Sequence, residues 1–197
     1  AKDLKEEKSQ SFSVSADMYH RFGAFQTNLL IEGFYTRLTD VFVLGKPYDR
    51  GDGILVKTRS NGPGAKVMGL TLEGKVAYLS ILQIQAGLTL QRSRYDEPHK
   101  WHDDAPAEKK IFRTPDTYGY FTATYTPIKP LSIALSGTYT GRMLVQRMDI
   151  TAENAELGAM PERKAEAIRT PRFFDLGVKL AYDFKLYKTV DLQLNGG

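Results

Sequence analysis

The sequence predicts an all-β fold, an antiparallel meander of about eight long strands that forms a segment of a large transmembrane β-barrel. Three observations predict it. Apolar and polar residues alternate one by one in runs of about 9 to 10, the length at which a tilted strand crosses a bilayer. The runs are joined by connections that read short, long, short, long, short, long, short. Aromatic residues (Tyr19, Phe22, Phe25, Tyr78, Tyr125, Phe184, Tyr187) gather beside the short connections, where a membrane barrel carries its interfacial girdle.

The pattern is clearest from Tyr118 to Thr140. Gly119, Phe121, Ala123 and Tyr125 alternate with Tyr120, Thr122, Thr124 and Thr126, which is a strand period. Pro127-Ile128-Lys129-Pro130 reads as the turn, because neither proline can donate to a ladder. Leu131, Ile133, Leu135, Gly137 and Tyr139 then resume the alternation. Earlier in the chain, Phe12, Val14, Ala16 and Met18 form one face of a first strand over Ser11 to Tyr19, and Leu29, Ile31, Gly33 and Tyr35 one face of a second. The third strand carries Leu70, Leu72, Gly74, Val76 and Tyr78, and the fourth Ile84, Ala86, Leu88 and Leu90. Phe174 to Phe184 and Val190 to Leu194 complete the set. Gly45 to Lys66, Arg92 to Phe112 and Arg142 to Thr170 read as long polar loops, the last with a helical turn over Ala152 to Leu157.

Composition narrows the class. A chain of 197 residues demands no second domain, so residues 1–197 read as one unit. Mean hydropathy is −0.36, and no run of about 18 apolar residues offers a membrane helix, although alternating barrel strands average to such a score. The net charge of +4 is spread thinly and argues against a nucleic-acid partner. No cysteine is available for a disulfide or a thiolate site. A soluble antiparallel sandwich or barrel also alternates, with its apolar face turned inward, and so stays open as a binding or structural domain. A passive porin fragment is the other alternative. Because the first and last connections are both short, both chain ends lie on the long-loop side, so the chain reads as a slice of a larger barrel.

Several short motifs resemble one family. Leu4-Lys5-Glu6-Glu7-Lys8-Ser9 before a strand resembles a segment found late in TonB-dependent outer-membrane receptors. Glu32-Gly33-Phe34-Tyr35-Thr36-Arg37-Leu38-Thr39-Asp40 is similar to their FYT-bearing strand end, and Gly69-Leu70-Thr71-Leu72-Glu73 to a strand start after an asparagine-bearing loop, here with Asn61. Arg113-Thr114-Pro115 and Arg169-Thr170-Pro171 sit where such receptors return a loop to a strand. Leu192-Gln193-Leu194-Asn195-Gly196-Gly197 is similar to their penultimate strand. The likeness runs closest to the Bacteroidetes branch. It implies an outer-membrane barrel of about 22 strands with a plugged lumen, driven by the TonB complex through the plug. It also implies active uptake of a scarce, bulky nutrient, a ferric siderophore or a cobamide. Residues 1–197 would then be part of that barrel, in contact with lipid, the plug and the remaining strands, without plug or closing strand.

No Ser/His/Asp order, nucleophile elbow, HExxH, P-loop or GxGxxG occurs, and the chain reads as no enzyme. His99, Trp101, His102, Asp103 and Asp104 form the most chemically loaded loop: the histidines and carboxylates suit a transition metal, and an exposed tryptophan is a stacking surface for a ligand. Among relatives of the resembled family, outer loops commonly touch ligand. Asp49 and Asp52, in Asp49-Arg50-Gly51-Asp52-Gly53, resemble the start of a calcium loop without its distal glutamate, so no cofactor is required and calcium is the cation this loop suggests. Glu32, Glu73, Lys75, Asp175, Lys179, Asp183 and Lys185 fall on the polar strand face and would line the lumen or touch the plug.

Overall fold

The structure is a computed structural model that describes residues 4–102, 104–150, 163–187 and 190–197. The strands are β1 (Lys8–Phe22), β2 (Phe25–Thr39), β3 (Phe42–Asp49), β4 (Leu55–Asn61), β5 (Ala65–Tyr78), β6 (Leu82–His99), β7 (Glu108–Lys110), β8 (Thr117–Ile128), β9 (Leu131–Thr140), β10 (Leu144–Ile150), β11 (Arg163–Arg169), β12 (Phe173–Tyr187) and β13 (Val190–Gly196). The expected eight-stranded meander is present: β1-β2-β5-β6-β8-β9-β12-β13 pair in that order, each antiparallel to its neighbour. No crossover interrupts it, because each short connection leaves consecutive strands no choice but to pair. Gly23 takes φ +59° in the turn between β1 and β2, and Leu79 takes φ +48° after β5.

Register keeps the two faces chemically separate across the whole sheet. One row runs Met18, Leu29, Gly74, Ala86, Phe121, Gly137, Leu176; the next runs Ala16, Ile31, Leu72, Leu88, Gly119, Tyr139, Phe174. On the other face one row reads Tyr19, Asn28, Lys75, Gln85, Thr122, Ser136, Gly177. A one-residue slip in any strand would exchange these sets, so the alternation itself holds the register. The apolar face covers no core: among the described residues only Ala65, Ala105, Leu144 and Ala165 are buried hydrophobics, while Val14 is 79% and Phe12 69% exposed. A soluble sandwich would hide those side chains.

Glycines in the sheet make room for rings on the opposite strand. A Cβ on Gly87 would come within 2.5 Å of the Tyr120 ring, and one on Gly137 within 2.3 Å of the Phe121 ring. Tyr120 and Phe121 therefore lean across the sheet on opposite faces, each covering the backbone its neighbour leaves bare.

The structure departs from expectation at the long-connection end. The first strand begins at Lys8 rather than Ser11, the third at Ala65 rather than Leu70, and β6 continues to His99. Two of the long connections hold their own two-stranded ladders, β3 with β4 and β10 with β11, and the third holds β7 against β6. Pro127 lies inside β8, at a register shift between Tyr125 and Ile128 where its missing N–H costs no ladder bond, so the turn is Lys129 and Pro130 alone. Tyr19 is on the polar face and leaves the aromatic girdle, since the odd positions of β1 face away from Phe12 and Met18. The helical turn expected over Ala152 to Leu157 lies outside the described residues.

Candidate functional site

The polar face is the first candidate surface. Glu32, Glu73, Lys75, Asp175, Lys179 and Asp183 share it, as does Lys185, but the register divides them into two groups. Glu32, Glu73 and Lys75 stand on β2 and β5; the others stand on β12, with β6, β8 and β9 between. Asp183 accepts a hydrogen bond from Gln193 at 2.8 Å. Hydroxyls and amides fill the intervening strands: Thr71 and Thr89 lie 3.0 Å apart through their Oγ1 atoms, and Gln85 donates to the Tyr120 hydroxyl at 2.6 Å. Toward the short turns this face opens into a recess of about 350 Å³ bordered by Tyr19, Asn28, Lys75, Gln83, Gln85 and Thr122. Asp17 organises its rim, accepting from the Tyr19 hydroxyl at 3.0 Å and from the Asn28 amide. The recess is of mixed polarity with Lys75 its one charged lining residue, suited to a hydrogen-bonding protein surface.

The second candidate is the loop after β6. Trp101 is only partly exposed: its ring packs edge-on against Phe112 at 6.5 Å and tilted against His102 at 5.8 Å, and its Nε1 is buried without a hydrogen-bond partner among the described residues. The expectation of a freely exposed stacking surface is therefore corrected, because Phe112, eleven residues on, folds back under the indole. His99 lies 5.4 Å from the Tyr95 ring, and burial pushes the Tyr95 hydroxyl above its ordinary pKa. His102 Nδ1 accepts the Asp104 backbone N–H at 3.4 Å and lies 3.5 Å from Asp104 Oδ2. Asp103 lies outside the described residues. Among the described residues no three His, Asp or Glu side chains come together as a metal cage.

The third is the tip between β3 and β4. Asp49 Oδ1 accepts the N–H groups of Gly51 at 2.8 Å and Gly53 at 3.2 Å, which folds the tip over its own carboxylate. The Arg50 guanidinium sits on Asp52 Oδ2, with Nε at 3.1 Å, and the Ile54 N–H donates to Oδ1 at 3.2 Å. Arg50 first, and Ile54 second, hold the Asp52 carboxyl below the usual carboxylate range. Asp49 Oδ1 and both carboxylate oxygens of Asp52 are thus engaged by donors of the tip itself.

Two clasps at this end were not foreseen as geometry, although their residues were visible as motifs. Asn61 accepts the Lys5 N–H at 2.8 Å and donates to the carbonyls of Lys5 at 2.8 Å and Asp40 at 2.7 Å, so the segment before β1 is tied to the base of the β3–β4 hairpin. The two Arg-Thr-Pro sequences converge on one place: Arg113 N–H donates to Leu144 O at 2.7 Å, while Thr170 donates its N–H to Met143 O at 2.9 Å and accepts the Met143 N–H at 3.1 Å.

The sheet, with one face apolar and exposed, the other polar, and loops long at one end only, is the wall of a membrane-type β-barrel. The family model described as "TonB dependent receptor-like, beta-barrel" matches residues 1–197, and the chain belongs to that family. Among solved structures it is similar to the ferric-catecholate import receptor Fiu from E. coli K12, with a TM-score of 0.63 at 17% identity, covering 99% of this chain and 24% of that one. It is also similar to the copper transporter OprC, with a TM-score of 0.58 at 14% identity over 98% of this chain and 25% of that one. A third is the FrpB iron transporter of Neisseria meningitidis, F3-3 variant, with a TM-score of 0.54 at 16% identity over 98% of this chain and 27% of that one. The chain thus spans about a quarter of the length of each. No match is found among curated protein sequences. At these identities the likeness shows the fold, and members of the family are outer-membrane receptors rather than enzymes.

Proposed function

We propose that these residues form part of the barrel wall of an outer-membrane receptor that imports a scarce, bulky metal chelate, a ferric siderophore above all, with energy delivered through TonB. The observation that carries this reading is the pair of unmatched sheet edges beneath a continuous apolar face. Among the described residues β1 pairs only with β2 and β13 only with β12, so each outermost strand keeps one side free for a further strand. Lipid leaves no water to satisfy such edges, so further strands must close them into a barrel. In that barrel Glu32, Glu73, Lys75, Asp175, Lys179 and Asp183 face the lumen and meet a plug, and the recess beside Tyr19 and Lys75 receives one of its loops. The plug, in turn, is what the TonB complex pulls.

The ligand class is supported by the iron and copper cargo in the names of the solved relatives. His99, Trp101, His102, Asp103 and Asp104 belong to a loop that closes on the chelate, and the half-buried Trp101 shapes that loop. Calcium at Asp49 and Asp52 is disfavoured by the Arg50 contact. The Bacteroidetes affiliation rests on motif order alone. The test is uptake of labelled ligand by cells with and without the full-length protein that carries these residues, in TonB-competent and TonB-deficient backgrounds. Ferric siderophore uptake should fall to background when either is removed. Uptake of a cobamide instead would overturn the ligand class, and uptake independent of TonB would overturn active transport in favour of a passive pore.

A further inference from the structure

The junction between β4 and β5 reads Asn61-Gly62-Pro63-Gly64, and a different neighbour holds each of its ends. The Asn61 carboxamide uses its oxygen and both of its N–H donors. Oδ1 accepts the Lys5 N–H at 2.8 Å, and Nδ2 donates to the carbonyls of Lys5 at 2.8 Å and Asp40 at 2.7 Å. By bonding both polar groups of Lys5, the side chain stands in for the peptide of a neighbouring antiparallel strand. Aspartate has the acceptor without the donors, and glutamine carries the same amide one methylene further out, so the three bonds together call for asparagine. Asp40 takes φ +53°, a backbone conformation that a residue other than glycine keeps only where its surroundings hold it, and the bond from Asn61 is one such hold.

The glycines carry the fastening further. Gly62 donates its N–H to Val41 O at 2.7 Å, and a Cβ there would lie 2.6 Å from Val43 Cγ1. Gly64 O accepts the Asp96 N–H at 2.8 Å, and a Cβ on Gly64 would lie 2.7 Å from Leu38 O. From the other side Glu7 Oε2 accepts the Phe42 N–H at 3.0 Å. Four pieces of chain therefore meet at one place: residues 4–7, residues 38–43 between β2 and β3, the junction itself, and β6 at Asp96. Once one bond has fixed a segment, the next costs little further ordering entropy, so bonds that share a segment form and break together. We propose that Asn61 fastens these four pieces into one cooperative body at the top of the wall, so that residues 4–7 move with the base of the β3–β4 hairpin and with β6 rather than as an independent outer segment. The fastening rests on these hydrogen bonds alone and holds whichever ligand the receptor takes.

The test is native-state amide hydrogen exchange on the full-length receptor in nanodiscs. The amides of Lys5, Phe42, Gly62 and Asp96 should show closely matched protection factors, as members of one opening unit do. Asn61→Ala removes bonds to Lys5 and Asp40 only, yet it should lower protection on the order of tenfold at all four amides, with the Thr122 amide of the mid-wall unchanged. Glu7→Ala, which directly frees only the Phe42 N–H, should lower protection at Lys5 and Asp96 as well. Glu7→Gln keeps an acceptor oxygen and should leave all four as they are. Loss confined to Lys5 in Asn61→Ala, or to Phe42 in Glu7→Ala, would overturn the shared body. Four dissimilar protection factors in the unaltered receptor would overturn it equally.

Discussion

Trp101 shows how a single side chain can look more available in a sequence than it is in a fold. Its neighbours His99, Lys100, His102 and Asp104 are all polar, so the local sequence suggests a ring held out to solvent. Phe112 is what changes that, and nothing in a strand or helix period links a loop residue to one eleven places on. Replacing Phe112 with Ala should uncover the indole, moving its fluorescence to longer wavelength and raising its quenching by iodide. Trp101→Ala would remove this loop's indole signal altogether. An unshifted emission in the Phe112→Ala variant would mean the indole was never sheltered. Asp49 and Asp52 teach the converse lesson: their spacing was legible as a cation motif, but the Arg50 between them, equally visible, turned out to be the counter-ion.

At the scale of strands, period-two alternation exposed the membrane-spanning parts almost residue by residue, because one buried or lipid-facing side imposes it. The overhanging parts escaped notice for a physical reason. Beyond Tyr35, Met68 and Leu90 the face that was apolar carries Arg37, Lys66, Arg92 and Arg94, so the alternation vanishes while the ladder continues. β4 reads Leu-Val-Lys-Thr-Arg-Ser-Asn, with no apolar face, and forms only because β3 pairs with it. Inside the sheet the tightest element-scale constraint is the ring over Gly87. Gly87→Val should force Tyr120 off its neighbour, break its hydrogen bond with Gln85, and cost about 1 to 3 kcal/mol by overpacking. Urea titration of the refolded barrel reads that cost, and the Tyr120→Ala background should return most of it. A Gly87→Val variant as stable as the parent would show that the ring has room to move.

At the scale of the whole molecule, the order of the strands was legible because each follows its predecessor in the sheet, and the division into two faces because apolar and polar residues alternate along most of each strand. What lay beyond the sequence is how far the wall rises and how its loops are tied, since those depend on hydrogen bonds to backbone carbonyls from the Asn61 side chain and from the Arg113 and Thr170 N–H groups, which no periodicity marks. The membrane assignment makes a directional prediction. Leu72→Arg, on the apolar face at mid-height, should destabilise the barrel in vesicles by about 2 to 4 kcal/mol. Thr122→Lys, at similar height on the opposite face, should change stability little. Equal costs from the two would contradict the orientation of the sheet.

Among the described residues the β3–β4 and β10–β11 hairpins close their ladders on themselves and are hydrogen-bonded to the rest of the chain near their bases. Selection can therefore rewrite them, in length as well as in sequence, while the lipid-facing scaffold stays untouched.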